Sequence, residues 1–168
     1  MLSSSSSAVI KHDQQIYHIG WGIRFENLLI EVEGRNVRKV LFVCVHNSGR
    51  SQMAQAFFNK AARGKATGIS AGTQPADRVN PTVVTAMREL GIDISRQTPR
   101  SLTLDMMEGA ERVVTMGCGV EGTCPASFVP TEDWQLEDPE GKPLEQVRRI
   151  RDQVKAKVDA LVKEIGLD

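Results

Sequence analysis

The sequence predicts an α/β domain of three layers, a four-stranded parallel sheet with helices on both faces, spanning residues 38–168 after an N-terminal extension over residues 1–37. Two observations point to it. From Arg38 onward, short apolar segments alternate with segments of helical period, the pattern of strand–helix–strand units. The first of these apolar segments is continuous rather than alternating, as expected where a parallel sheet is covered on both sides.

The elements follow in order. Residues 1–15, "MLSSSSSAVIKHDQQ", are serine-rich and polar and read as a disordered tail. In residues 16–33, Trp21, Ile23 and Phe25 alternate with Gly22 and Arg24, and Ile30 and Val32 with Glu31 and Glu33. That is strand periodicity, with a hairpin around Glu26-Asn27. "KVLFVC", residues 39–44, is the first buried strand. "SQMAQAFFNKAAR" is a helix with Met53, Ala56, Phe57 and Lys60 at three- and four-residue spacing and Gly64 as its stop. "ATGISAG", residues 66–72, is the second strand. Asn80-Pro81 opens a helix over "PTVVTAMREL", with Gly91 just beyond its end. "SLTLDMME" forms a short helix, "ERVVTMG" the third strand and "DWQL" the fourth. Residues 143–166 form a long closing helix, with Val147, Ile150, Val154, Val158, Leu161 and Ile165 along one face.

Lys+Arg and Asp+Glu both number 21, so the chain exerts no general pull on nucleic acid or an anionic membrane. Any anion site must be local. Three cysteines in 168 residues do not make a disulfide scaffold, and an odd number fits reduced thiols and a cytoplasmic home. The N-terminus has no signal-peptide pattern, and no apolar run reaches membrane-spanning length. Nothing in the sequence calls for a cofactor.

The chemistry concentrates in Cys44-Val45-His46-Asn47-Ser48-Gly49-Arg50-Ser51, between a strand end and a helix start. Backbone N–H groups at a helix start lack internal partners and, with the helix dipole, form an anion cradle. Gly49 allows close backbone approach. Arg50 offers a planar fork matched to two oxygens of a tetrahedral oxyanion. The same positive field favours thiolate over thiol at Cys44, and Ser51 can donate a hydrogen bond to the sulfur. The bland alternative is a packed structural cysteine. His46 reads as a loop residue rather than a base.

"MGCGVEGTCP" places Cys118 and Cys124 just after the third strand, at the sheet edge where Cys44 ends the first. A redox pair, two unrelated core cysteines and a zinc site all remain open, although the five-residue spacing is wide for zinc and no histidine lies near. A departing hydroxide or alkoxide needs a proton, so a carboxylic acid should face the loop. Asp133, Glu137 and Asp138 are the candidates, and Asp138-Pro139 taken alone is usually a turn.

The Cys44–Ser51 loop resembles that of the low-molecular-weight protein tyrosine phosphatases and of the arsenate reductases sharing their fold, from about Arg38 to the C-terminus. "RSQMAQ" is more similar to the reductases, because the phosphatases usually carry proline where Gln52 stands. The three cysteines resemble those of the thioredoxin-linked arsenate reductases. The resemblance implies that Cys44 attacks arsenate, Cys118 resolves the cysteine–arsenic adduct as a Cys44–Cys118 disulfide, and Cys124 yields a Cys118–Cys124 disulfide for thioredoxin or another thiol donor. The best-known members separate this pair by one more residue, which leaves open the relay order and the donor. Trp134 followed by Asp138-Pro139 resembles the families' acid motif and implies Asp138 as the acid. Some such reductases hold an alkali cation under the loop. Asn47 and Ser70 match that site, while the carboxylate often found in the first helix is Gln55 here. The alternatives are a phosphatase hydrolysing phosphomonoesters through a phosphocysteine, and a non-catalytic oxyanion or redox sensor.

Overall fold

The computed structural model describes residues 9–12, 15–18, 38–117 and 131–167. The chain divides into two units, Met1–Asn36 and Val37–Asp168. In the first, β1 (Val9–His12) pairs antiparallel with β2 (Gln15–His18), Ile10 opposite Tyr17. This corrects the expectation of a disordered tail through residue 15: Val9, Ile10, Ile16 and Tyr17 are strand formers and fall within the paired stretch. The hairpin expected around Glu26-Asn27 lies outside the described residues.

In the second unit the chain runs β3 (Arg38–Cys44), α1 (Arg50–Ala62), β4 (Ala66–Gly72), α2 (Pro81–Arg88), α3 (Leu104–Glu108), β5 (Arg112–Thr115), β6 (Thr131–Asp133) and α4 (Leu144–Glu164). The four strands are all parallel, in the order β4-β3-β5-β6. After β3 the chain crosses to one side, and after β4 it returns to the other, so the strand order reverses beside the end of β3. Such a switch point opens a crevice at the carboxyl edge of the sheet. Register then sets the floor of that crevice. Cys44 pairs with Gly72, Val43 with Thr115 and Thr115 with Asp133, so these strands end level with one another.

Alternate residues of β3 supply two faces. Val40, Phe42 and Cys44 join the core formed with α1, α2 and α4, whereas Leu41 and Val43 pack with Ala71, Met107, Ala110 and Val113 on the opposite face, where α3 lies. Phe42 meets Phe58 edge-on at 5.6 Å and Trp134 at 5.9 Å. Val147, Ile150, Val154, Val158 and Leu161 are all buried along α4, as their spacing predicts, and Ile165 caps the helix end half-buried.

Beyond shifts of a residue or two at element ends, three features differ from the sequence expectation. The buried stripe of α1 is Met53, Ala54, Phe57, Phe58 and Ala62, with Lys60 exposed, because the helix is wedged between the sheet and α4 and buries more than one narrow seam. Ser101 and Leu102 are not helical. Gly72 N donates to Arg100 O and Leu102 N to Gly72 O, both at 2.8 Å, so this stretch lies along the β4 edge, and α3 starts only after its Thr103 cap. β6 is Thr131–Asp133 rather than "DWQL", since Gln135 turns to φ 46 and ends the extended run.

Arg151, almost fully buried on α4, donates to Ala86 O at 2.8 Å and to Glu89 at 3.1 Å, tying α4 to the end of α2. Glu89 also takes Arg148 at 2.6 Å. Hydrogen bonds from Arg148, then from Arg151, hold the Glu89 carboxyl below its ordinary 4.5. A lowered native pKa contributes stability above the ordinary value that is lost as pH falls through the native one. The fall of Tm between about pH 5 and pH 3 should therefore be shallower in Glu89→Gln than in the wild type. Phe58→Ala should cost about 3–5 kcal/mol in urea unfolding, because Phe58 is fully buried. Leu104→Ala, at a side chain 60% exposed, should change stability by no more than about 0.5 kcal/mol.

Candidate active site

The loop between β3 and α1 turns its carbonyls outward and its amides inward. Thr73 N donates to Cys44 O (3.2 Å), Gln74 N to Val45 O (2.9 Å), Ala76 N to His46 O (2.9 Å) and Asn80 N to Ser48 O (2.9 Å). The segment after β4 thus grips the loop from outside. The amides of Val45, His46, Ser48, Gly49 and Arg50 have no acceptor among the described residues, which is the arrangement of an anion cradle. Two glycines make this path sterically open. A methyl group on Gly72 would lie 2.6 Å from Val45 O, and one on Gly49 would lie 2.5 Å from Pro139 Cγ.

Cys44 Sγ lies 3.0 Å from Ser51 Oγ and 3.2 Å from the Asn47 amide that donates to it. Asn47 Nδ2 donates to Ser51 Oγ at 2.7 Å, leaving the serine hydroxyl hydrogen to point at sulfur. Two donors therefore stabilise negative charge on the sulfur, as expected for a nucleophile. Cys44 is only 2% exposed by whole-residue area, deep at the base of the loop. His46 is half-exposed and its side chain makes no hydrogen bond among the described residues, in keeping with a loop role.

Arg50 is buried under the loop, and its fork is engaged. Nη1 donates to Met116 O (2.7 Å) and Leu136 O (3.0 Å), and Nη2 to Asp138 Oδ2 (2.6 Å). Nε is buried with no acceptor among the described residues. The guanidinium thus spans the ends of β5 and β6 and reaches the Asp-Pro turn. Asp138 is 42% exposed at its side chain, and its second oxygen accepts from Glu140 N at 3.1 Å. Of the three carboxylates considered from sequence, this one stands on Arg50. Asp133 instead ties down the strand ends, accepting from Thr115 Oγ1 and Gly117 N, both at 3.0 Å. Burial pushes its carboxyl up, but the Gly117 amide, the Thr115 hydroxyl, the Gln135 amide and the Arg50 charge together hold it below the ordinary range. Glu137 pairs with Lys142 at 2.8 Å and with Gln146. Trp134 is buried against Phe42, anchoring the run that leads to Asp138.

Cys118 and Cys124 lie outside the described residues. Gly117, the residue before Cys118, sits at the Arg50 guanidinium: a methyl there would be 3.4 Å from Nη1.

Two residues proved more deeply involved than the sequence indicated. Gln52, noted only for standing where phosphatases have proline, is 1% exposed and donates from Nε2 to Asn47 O (3.0 Å) and Asn47 Oδ1 (3.2 Å). The backbone N of Arg100 donates to the same Oδ1 at 2.8 Å across 53 residues, and no local signal announces such a contact.

The alkali cation implied near Asn47 and Ser70 fits these residues poorly. Asn47 Oδ1 already receives two N–H donors. Ser70 Oγ and Gln55 Oε1 are buried neutral oxygens with no partner among the described residues and could serve an alkali cation, so the misfit lies at Asn47. No cluster of three or more acidic, histidine or cysteine side chains suited to a metal ion occurs among the described residues. With its oxygen already taking two N–H donors, Asn47 could bind a cation only by giving up one of them.

Residues 39–168 match the model of the low molecular weight phosphotyrosine protein phosphatase family. The chain is 42% identical over 134 residues to a glutaredoxin arsenate reductase of Synechocystis, covering 77% of this chain and all of that protein. A solved arsenate reductase in its phosphate-binding state superposes with a TM-score of 0.68 at 41% identity, covering 77% of this chain and 99% of that one. A thioredoxin-dependent arsenate reductase of Corynebacterium glutamicum superposes with a TM-score of 0.68 at 34% identity, over 82% of this chain and 66% of that one. The inward-facing amides, the donor-flanked cysteine and the arginine–aspartate pair thus stand on a known scaffold: this chain belongs to the low molecular weight phosphotyrosine protein phosphatase family, in its arsenate reductase branch.

Proposed function

We propose that the chain reduces arsenate to arsenite at Cys44, with the two electrons drawn from protein thiols and returned by a thiol reductant such as thioredoxin or glutaredoxin. The observation that carries this reading is the sulfur of Cys44 held by Ser51 and the Asn47 amide at the base of an amide-lined loop, with Arg50 and Asp138 beside it. The naming of relatives for arsenate reduction, some with thioredoxin or glutaredoxin, favours arsenate over a phosphomonoester.

The oxyanion enters against the free amides and takes the place of the Asp138 carboxylate on Arg50, where the buried Nε offers a further donor. Cys44 thiolate attacks arsenic. An As–O bond breaks, and the oxygen leaves as water with a proton from Asp138, whose solvent-exposed carboxylate takes that proton up from water once the oxyanion has displaced it from Arg50. The Cys118 thiolate then attacks Cys44 sulfur. The S–As bond breaks with its electron pair passing to arsenic, which goes from As(V) to As(III) and departs as arsenite, leaving a Cys44–Cys118 disulfide. Cys124 attacks Cys118, restores the Cys44 thiolate and leaves a Cys118–Cys124 disulfide for the external reductant. Phosphomonoester hydrolysis through the same Cys44 would need neither Cys118 nor Cys124.

The test is NADPH oxidation coupled through thioredoxin reductase and thioredoxin, with arsenate as substrate, beside hydrolysis of p-nitrophenyl phosphate. Cys44→Ser should abolish both activities. Cys118→Ser should turn over at most one arsenate per enzyme while keeping whatever phosphate ester hydrolysis the wild type has. Steady turnover of arsenate by Cys118→Ser would overturn the relay. Asp138→Asn should lower arsenate turnover about a hundred- to ten-thousandfold. Its affinity for phosphate, measured by calorimetry, should not fall, because the carboxylate competing for Arg50 is gone. Gly49→Ala should also slow turnover, since the added methyl collides with Pro139 and drives the acid away from the loop.

A further inference from the structure

We propose that Gln52 is the positioning residue that sets the Cys44 loop, its carboxamide standing in for the alkali cation that the family resemblance implied near Asn47. The inference rests on Cys44 being the nucleophile. It adds the cause of that cysteine's environment.

Asn47 is the one described residue of the loop with a left-handed backbone, at φ 47. Asparagine tolerates that conformation better than other non-glycine residues, yet still at a cost that its partners must offset. Here every polar group of Asn47 is engaged. Its N–H donates to Cys44 Sγ, its Nδ2 to Ser51 Oγ, and its two oxygens accept from Gln52 Nε2, with Arg100 N adding to Oδ1. The orientation of the Gln52 carboxamide is forced, because only its nitrogen can donate to the Asn47 carbonyl. The hydrogen bonds therefore run one way, from Gln52 to Asn47, from Asn47 to Ser51, and from both Asn47 and Ser51 to the sulfur. Each donor polarises the next, and the chain ends on the atom that must carry negative charge.

The other end of Gln52 strengthens the case. Its Oε1 is buried with no partner among the described residues, although the residue is 1% exposed. A leucine would occupy the same apolar setting without that unsatisfied oxygen. What the carboxamide contributes here is its nitrogen. That nitrogen presents positive partial charge to Asn47 O and Oδ1, the kind of oxygens a cation under the loop would coordinate. A cation at Asn47 Oδ1 would have to displace the N–H donors that already occupy that oxygen.

Two properties decide the matter without recourse to arsenate turnover: calorimetric affinity for inorganic phosphate, and the pH profile of Cys44 alkylation by iodoacetamide in Cys118→Ser/Cys124→Ser protein. Each is measured in KCl and in choline chloride at equal ionic strength. Wild-type Gln52 should give the same phosphate affinity in both salts to within about twofold. Gln52→Leu, shown folded by circular dichroism and melting, should lose about tenfold in phosphate affinity, and its alkylation profile should move to higher pH as one hydrogen-bond relay is lost. Gln52→Glu faces Asn47 oxygens with a carboxylate and should acquire a requirement for K+, recovering phosphate affinity in KCl but not in choline chloride. A wild type whose phosphate affinity drops more than about fivefold in choline chloride would overturn the inference. So would a folded Gln52→Leu with unchanged affinity and alkylation profile. Full arsenate turnover by Cys44→Ser would overturn both this inference and the reading it rests on, whereas the first two results would leave that reading standing.

Discussion

The conformation of one asparagine governs this site. Asn47 must turn left-handed for the chain to double back from β3 into α1, and in doing so it aims its amide at Cys44 and its side chain at Ser51. If that residue relaxed to an ordinary conformation, the sulfur would lose one donor directly and a second by way of the serine. The elements around the loop can be understood by how they hold this turn. Gly72 leaves room beneath it, Arg100 N and Gln52 secure its oxygens, and the 73–80 segment pulls the loop carbonyls outward.

Arg50 joins this loop to Asp138, the proposed acid. Its guanidinium is held by two carbonyls, from the ends of β5 and the segment after β6, so its place depends on how the parallel sheet aligns those strands. Asp138 occupies one donor of the fork, and an oxyanion must compete with it. In the proposed reaction, entry of substrate and release of the acid are therefore coupled through this one side chain. Pro139 packs on Gly49 and sets how far the carboxylate can swing.

The order of strands explains why these groups converge. The crevice opens where the crossovers diverge on either side of β3, and the level ends of β3, β4, β5 and β6 bring Cys44, Gly72, Thr115 and Asp133 to a common edge. Asp133, which offered itself as an acid by position, is instead consumed in fastening that edge. The difference between it and Asp138 is five residues of chain and one left-handed residue, Gln135, which turns the backbone away from the sheet and toward Arg50.

The sequence by itself determined what depends on neighbours along the chain. The continuous apolar run ending in Cys44, the helical period after Arg50 and the apolar stripe of α4 are local patterns, and periodicity and side-chain chemistry suffice to read them. So is the cysteine–arginine–serine spacing, because a single turn between strand and helix brings those three groups together. The Trp134…Asp138-Pro139 motif singled out Asp138, but only the tertiary structure decided that this carboxylate meets Arg50 across 88 residues, why Lys60 is exposed while Ala54 and Phe58 are buried, and that Gln52 grips Asn47 from inside the first helix. Those outcomes follow from strand register, helix–sheet packing and the path of the loop, which no period in the sequence records.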